Sequence, residues 1–227
     1  MFTLEIIKNR IKLQKKHKLK MLDVGIVPGH LSLAIKKLFS LHISGISYEI
    51  GEKFTERMHS VSIPIYKCNV EKERLPFKDE TFDMVLCCEL IEHLIFDPIH
   101  MLNETNRVIK DGILILTTPN LTRLANRVKL MLGKSINWPI KDFYERSPYD
   151  RHNREYTLDE IKYMLSLTGF KIVKIRFFNY HKDKNSITEI LFYMIRDLLT
   201  FFKPSLSSNI LIVAKKCMGA SSQLYRL

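Results

Sequence analysis

Apolar residues along this chain follow two rhythms: short, nearly continuous runs, and stretches in which they recur every third or fourth position. Lys20–Val24, His42–Tyr48, Ile63–Cys68, Phe82–Cys88 and Ile113–Thr118 read as strands, and the unbroken run at Phe82–Cys88 suits a strand buried on both faces. Between them lie helical patterns. Leu31, Ala34, Ile35, Leu38 and Phe39 share one face of a helix, and another helix covers Glu52–His59. Asp97-Pro98 supplies an N-cap and an N1 proline for a helix expected to end at Gly112. Thr157-x-x-Glu160 is a capping box opening a helix that stops at Gly169. Two more strands, Phe170–Phe178 and Ile210–Ala214, flank a helix around Ser186–Phe202. Alternating strands and helices predict an α/β fold, a doubly wound, mostly parallel sheet with helices on both faces. A single domain, 1–227, accommodates all of it, with the irregular segment 121–156 expected as a lid or substrate cap.

The composition, 46% hydrophobic and 26% charged over 227 residues, is that of a globular domain with a sizeable core. The formal net charge is +12, and seven basic residues lie between Lys8 and Lys20. They suit a solvated N-terminal helix; nucleic acid, anionic lipid and phosphorylated substrates are the partners such charge attracts. Glu5, Lys8 and Arg10 leave no room for a signal-peptide core, and Ile190–Phe202 carries Arg196 and Asp197 and is too short to span a bilayer. Cys68, Cys87, Cys88 and Cys217 have no zinc-like spacing and read as buried thiols of a reducing compartment. A cytoplasmic location is expected.

The first strand ends in Asp23 and passes through Gly25-Ile26-Val27-Pro28-Gly29 into a helix, an arrangement that turns backbone N–H groups toward a ligand. It lacks the G-x-G-x-x-G of nicotinamide dinucleotide sites. The spacing Asp23-x-Gly25-x-Val27-x-Gly29 resembles the first motif of class I S-adenosylmethionine (SAM) methyltransferases, with Val27 in place of the middle glycine. At the carboxyl end of the second strand, Glu49 can accept both ribose hydroxyls, with Ser47 as a competing register. Asn69 stands where that family often has an Asp beside the adenine, and its carbonyl oxygen can meet the exocyclic amine.

Leu75–Pro98 (LPFKDETFDMVLCCELIEHLIFDP) and Arg107–Asn120 (RVIKDGILILTTPN) are similar to SAM methyltransferases of the broad type 11/type 23 group. The resemblance continues through His152-Asn153-Arg154-Glu155-Tyr156-Thr157 and Leu165–Phe170, and covers about Met21 to Lys215. It departs at Lys110-Asp111-Gly112-Ile113, where the group usually has Lys-Pro-Gly-Gly. The resemblance implies a Rossmann-like, seven-stranded sheet with its last strand antiparallel, SAM as cofactor, and methyl transfer as activity. It assigns cofactor contacts to Asp23, Gly25, Ile26, Gly29, Glu49, Ile50, Asn69, Val70 and Glu89, and makes His93 the catalytic base or substrate-orienting residue.

Glu89, Glu92 and His93 stand at i, i+3 and i+4, so a helix here would put all three on one face. Glu-His at this point occurs in family members without metal, and the primary reading assigns none. The E-x-x-E-H spacing also resembles a metal site of small-RNA terminal 2′-O-methyltransferases, where His152 would complete a divalent-metal set of Glu89, Glu92, His93 and His152; it resembles quinone-pathway O-methyltransferases as well. Tyr144, Tyr149, His152, Arg154 and Tyr156 cluster in the irregular segment, suited to an aromatic, sugar or phosphate-bearing substrate. The expected function is methyl transfer to a small-molecule, sugar or lipid-linked acceptor at oxygen. The alternatives are a metal-dependent RNA 2′-O-methyltransferase-like enzyme and a non-catalytic, methyltransferase-like binding protein.

Overall fold

A computed structural model describes residues 2–13, 19–180 and 187–217. Its strands are β1 (Lys20–Val24), β2 (His42–Ser47), β3 (Ile65–Lys67), β4 (Phe82–Cys88), β5 (Ile109–Pro119), β6 (Phe170–Phe178) and β7 (Asn209–Lys216). They form one sheet in the order β3-β2-β1-β4-β5-β7-β6. β1 to β5 pair in parallel, and β7 runs antiparallel to both β5 and β6. The helices are α1 (Phe2–Leu13), α2 (His30–Leu38), α3 (Glu52–Ser60), α4 (Pro98–Val108), α5 (Leu124–Met131), α6 (Ile140–Glu145), α7 (Leu158–Leu167) and α8 (Ile187–Phe202). This is the predicted seven-stranded Rossmann-like sheet. Among the described residues no helix is long and apolar enough to cross a membrane.

Side chains alternate across the strands and build a core on each face. Leu22, Val24, Val85, Cys87, Leu114 and Leu116 meet Met101 and Leu102 of α4 and Ile161 and Leu165 of α7. Met21, Met84, Leu86, Ile113 and Ile115 meet Ile7 of α1, Ile35 of α2 and Met58 of α3. The chain winds outward from β1 through β2 to β3, then restarts at β4 on β1's other side. That reversal opens a crevice beyond the carboxyl ends of β1 and β4, where doubly wound sheets bind ligands.

Several boundaries depart from the sequence reading. The helix expected to reach Gly112 stops at Val108, and Ile109 already pairs with Phe82 of β4. Gly112 lies inside β5 because it admits a neighbour: a Cβ there would sit 2.4 Å from the Asp83 carbonyl oxygen. Gly112→Ala must therefore displace backbone, at an expected cost of about 3 kcal/mol and a Tm drop of roughly 10 °C in thermal unfolding. β3 is shorter than Ile63–Cys68; Pro64 has no N–H for the ladder, although its carbonyl accepts from Gly45 at 2.9 Å. α2 buries Ser32 and Ile35, whereas Leu38, its last residue, is 61% exposed. Lys15, Lys16, Lys18 and Ser186 lie outside the described residues.

The sharpest correction concerns the Glu-x-x-Glu-His segment, which is not an α-helix. Glu89 has a φ of 51°, and only Ile91–His93 form a single 3₁₀ turn. The cause is the sheet: the Glu89 N–H still donates to the Thr117 carbonyl of β5 at 2.9 Å, so the ladder continues where a helix would have to begin.

Candidate active site

The turn after β1 is built on two glycines in left-handed backbone, Gly25 and Gly29, both with φ of 80°. Gly25 and Ile26 both donate N–H to the Ile46 carbonyl, at 2.9 and 3.0 Å, which pins the turn against β2. Asp23 is buried beneath it and accepts from Ser32 Oγ of α2 at 2.6 Å. Burial pushes the Asp23 carboxyl up to about 6, with the Ser32 hydrogen bond opposing. Val27 is 49% exposed, so its side chain stands at the rim and does not fill the turn.

A cavity of about 290 Å³ opens beside this turn, lined by Gly25, Val27, Ser47, Tyr48, Glu49, Asn69, Val70, Glu89, His93 and Tyr149, among others. Ser47 ends β2, and its Oγ donates to the Glu49 carbonyl at 2.8 Å, leaving the Glu49 carboxylate exposed. Ile50, half-buried, is not part of this lining. The Asn69 carbonyl oxygen accepts from Glu71 N at 3.0 Å, and its amide donates to the Tyr149 hydroxyl at 3.2 Å. Tyr149 in turn packs on Tyr48 with ring centroids 4.6 Å apart, so the irregular segment contributes one wall.

A second cavity, about 680 Å³, shares Gly25, Val27, Glu89 and His93 with the first and adds Asp23, Ile26, Gly29, Thr3, Leu4, Thr117, Phe178, Asn179 and Tyr180. Where the two meet, Glu89 accepts from Thr117 Oγ1 at 2.8 Å, and burial raises its carboxyl pKa. Glu92 is fully buried; Thr118 Oγ1 donates to its Oε2 at 3.0 Å. Burial, then the charge of Glu89, pushes Glu92 up to about 8. His93 Nδ1 lies 3.1 Å from the Arg151 carbonyl, and its Nε2 lies 4.0 Å from Glu92 Oε1. Burial, then neighbouring His152, holds the His93 imidazole below its usual range.

The irregular segment folds back onto this turn. Asn153 N–H and Arg154 N–H donate to the Glu92 carbonyl at 2.8 and 3.2 Å, and the Asn153 amide donates to the His93 carbonyl at 2.8 Å. The His93 and His152 rings meet edge to face at 4.9 Å, and Trp138 packs on His152 at 4.8 Å. Glu92, His93 and His152 bring three donor atoms within 4.8 Å of one another. Glu89, predicted as a fourth member, is not part of that group: its left-handed backbone and Thr117 bond hold it outside.

Three residues that matter here escaped the sequence reading. Glu71 is buried, and its Oε1 accepts from Ile95, Phe96 and Asp97 N–H at 2.8, 2.5 and 3.0 Å, tying down the loop after the His93 turn. Thr117 and Thr118 hold the two carboxylates, and the quoted TTPN run contained the signal.

Residues 22–116 match the methyltransferase domain family. An uncharacterized protein of Methanocaldococcus jannaschii is 34% identical over 44% of this chain; the chain spans about half of that curated relative, 48% of its length. Among solved structures, a SAM-dependent methyltransferase from Archaeoglobus fulgidus shares 21% identity with a TM-score of 0.58, covering 93% of this chain and 94% of its own. One from Mesorhizobium loti shares 14% identity at a TM-score of 0.61, covering 93% and 97%. The fold is an α/β domain of the Rossmann-like type. The family match covers the strand–turn–helix core, less than half of the chain, and the fold is the one these SAM-dependent methyltransferases of known structure have.

Proposed function

We propose that this is a cytoplasmic enzyme that transfers the SAM methyl group to an oxygen of a small-molecule, sugar or lipid-linked acceptor. The observation that carries the reading is that the two cavities meet over Gly25, Val27, Glu89 and His93. A donor seated over the glycine turn then has its reactive end beside a second, larger chamber, where proximity and in-line alignment supply most of the rate. Asp23, Gly25, Ile26 and Gly29 serve the methionine end with Glu89, Glu49 the ribose, and Asn69 and Val70 the adenine. His93 orients the acceptor hydroxyl and receives its proton as the carbon–sulfur bond breaks. Residues 121–156 act as the cap, a role supported by the bonds of Asn153 and Arg154 to the Glu92–His93 turn.

A lipid-linked acceptor is favoured by the surface near this chamber. Leu191, Met194, Leu198, Phe201 and Phe202 of α8 are exposed, as are Leu130, Met131 and Leu132 at the end of α5 beside exposed Lys129 and Lys134. The two helices flank a groove lined by Leu124, Trp138, Tyr180, Phe192 and Tyr193, and such apolar faces with basic neighbours suit a lipid interface. The test is incubation with methyl-labelled SAM and a lipid extract of the source cell, followed by phase partition and NMR of the product. Label in an O-methyl group of the organic phase is expected. Label confined to RNA or protein overturns the reading.

Asp23 gives this assignment a pH signature. Its pKa of about 6 in the fold exceeds the ordinary 3.8, so the folded state holds the proton more tightly. Stability from this group is fully present below pH ~4 and is lost as pH rises through ~6, about 3 kcal/mol in all. The ionised form attracts the cationic methionine end of SAM, so affinity is expected to fall as pH drops below ~6. Asp23→Asn should raise the unliganded Tm at pH 8 while weakening SAM and flattening its pH dependence, measured by calorimetry and thermal unfolding.

A further inference from the structure

We propose that α8 is a membrane-docking helix, whose outward apolar face lies in the surface of an anionic lipid bilayer and holds the chain there without crossing it. The ground is that α8 is built inside out. From Ile190 to Phe202 every exposed residue is apolar, and Leu191, Met194, Leu198, Phe201 and Phe202 are between 57% and 79% exposed. Tyr193, Arg196, Asp197 and Thr200, spaced i, i+3, i+4 and i+7, form the opposite face and turn inward. A helix that packs on a domain in water has these two faces the other way round.

Polar bonds fix this orientation. Arg196 and Thr200 are buried. Arg196 donates to Asp197 Oδ1 through Nε and Nη2, at 3.0 and 2.7 Å, and through Nη1 to the Tyr180 carbonyl at 3.3 Å. The Asn179 amide donates to Asp197 Oδ1 and to Thr200 Oγ1, each at 3.0 Å, and its carbonyl oxygen accepts from the Ser208 N–H at 2.9 Å. Rolling α8 to hide its leucines would strand these groups, a buried guanidinium among them. The apolar face therefore stays outward, and a contiguous exposed face of this kind marks an interaction surface.

The surrounding charge identifies the cover. Leu124 and Ala125 of α5 face Phe192 and Tyr193 of α8 across a groove. On that side, residues 121–140 hold Arg123, Arg127, Lys129 and Lys134 and no acidic residue, and the last three of these cations are exposed. Exposed Lys203 follows α8 directly, and the whole chain carries +12. A second copy would set these like charges against one another. Anionic headgroups are drawn to them, each lysine or arginine near the surface adding to the attraction. The 16 residues of α8 span ~24 Å, suited to lying along a bilayer with the apolar side ~5–10 Å deep. The helix is not long enough to cross one.

Docked in this way, the groove between α5 and α8, about 350 Å³, opens at the bilayer surface. Tyr180 lines both this groove and the larger chamber beside Glu89 and His93, so an acceptor carried on an apolar chain reaches the chamber from the lipid. This last step rests on the lipid-linked reading above; the docking itself rests on α8.

The test is co-sedimentation of the full chain with vesicles of phosphatidylcholine, alone or mixed with phosphatidylglycerol. Binding to the mixed vesicles is expected to be at least ~10-fold tighter. Replacing Leu191, Leu198 and Phe201 together by serine should weaken that binding at least ~10-fold. The same variant should keep the wild-type Tm and SAM affinity, because all three side chains face outward. Phe201→Trp should be quenched by brominated acyl chains beyond the signal of Trp138, the chain's one native tryptophan. The proposal is overturned by no binding to the mixed vesicles, by full binding in the triple variant, or by no added quenching in Phe201→Trp. A soluble dimer that the triple variant dissociates, in place of vesicle binding, overturns it in favour of a second copy. Vesicle binding by a chain that labels nothing in the organic phase upholds the docking and contradicts the acceptor reading. Organic-phase label from a chain that ignores vesicles does the opposite.

Discussion

Gly25→Val is expected to lower SAM affinity at least ~100-fold, a loss of about 2.7 kcal/mol, in calorimetric titration. Gly25 has a φ of 80°, a region that a β-branched residue resists. A Cβ at this position would also come within 2.9 Å of Leu90 Cδ1, and the larger side chain would project into the space where the two cavities join. Relieving that strain pulls the Gly25 and Ile26 N–H groups off the Ile46 carbonyl and unpins the turn from β2. Val27→Gly is the informative partner, because Val27 stands at the exposed rim. Its removal should leave SAM affinity unchanged or tighter. Full affinity in Gly25→Val would mean that this turn is not the cofactor cradle.

Glu71→Ala is expected to destabilise the fold by about 3 kcal/mol or more in urea unfolding, with Glu71→Gln costing about half as much. One carboxylate oxygen satisfies the N–H groups of Ile95, Phe96 and Asp97, and the alanine variant strands all three. The glutamine retains an acceptor but loses the charge that strengthens those bonds. Because this loop connects the His93 turn to α4, the alanine variant should also weaken SAM binding, through the displaced wall formed by Leu90, His93 and Leu94. Equal stability of the two variants would contradict this account, because glutamine keeps the bulk and an acceptor oxygen that alanine lacks.

What the sequence disclosed follows from how local each feature is. Phe82–Cys88 and Phe170–Phe178 were legible to the residue, although each ladder carries a register shift that the sequence pattern does not show. Asp23, Gly25, Glu89 and His93 converge for a simple reason: each lies near or just beyond the carboxyl end of one of the two strands that border the crevice. The helical reading of Glu89–His93 failed because spacing cannot register the Glu89 N–H bond to a residue 28 positions away. Helix termination at Gly112 failed likewise, since the need for glycine came from Asp83 across the sheet. Tyr149 against Asn69 and Tyr48, Arg151 behind His93, and Glu71 under the Ile95–Asp97 loop join segments separated by long stretches of chain. No periodicity encodes such contacts. They arise only when the irregular segment lies down on the carboxyl edge.

The central claim is that the crevice beyond β1 and β4 is a working SAM site despite Val27 and Asn69. Calorimetric titration of the unliganded chain with SAM, and with its demethylated product S-adenosylhomocysteine, tests it most directly. One saturable site for both ligands, accompanied by a rise in Tm and lost in Gly25→Val, is the expected result. No heat and no Tm shift at millimolar ligand would contradict it.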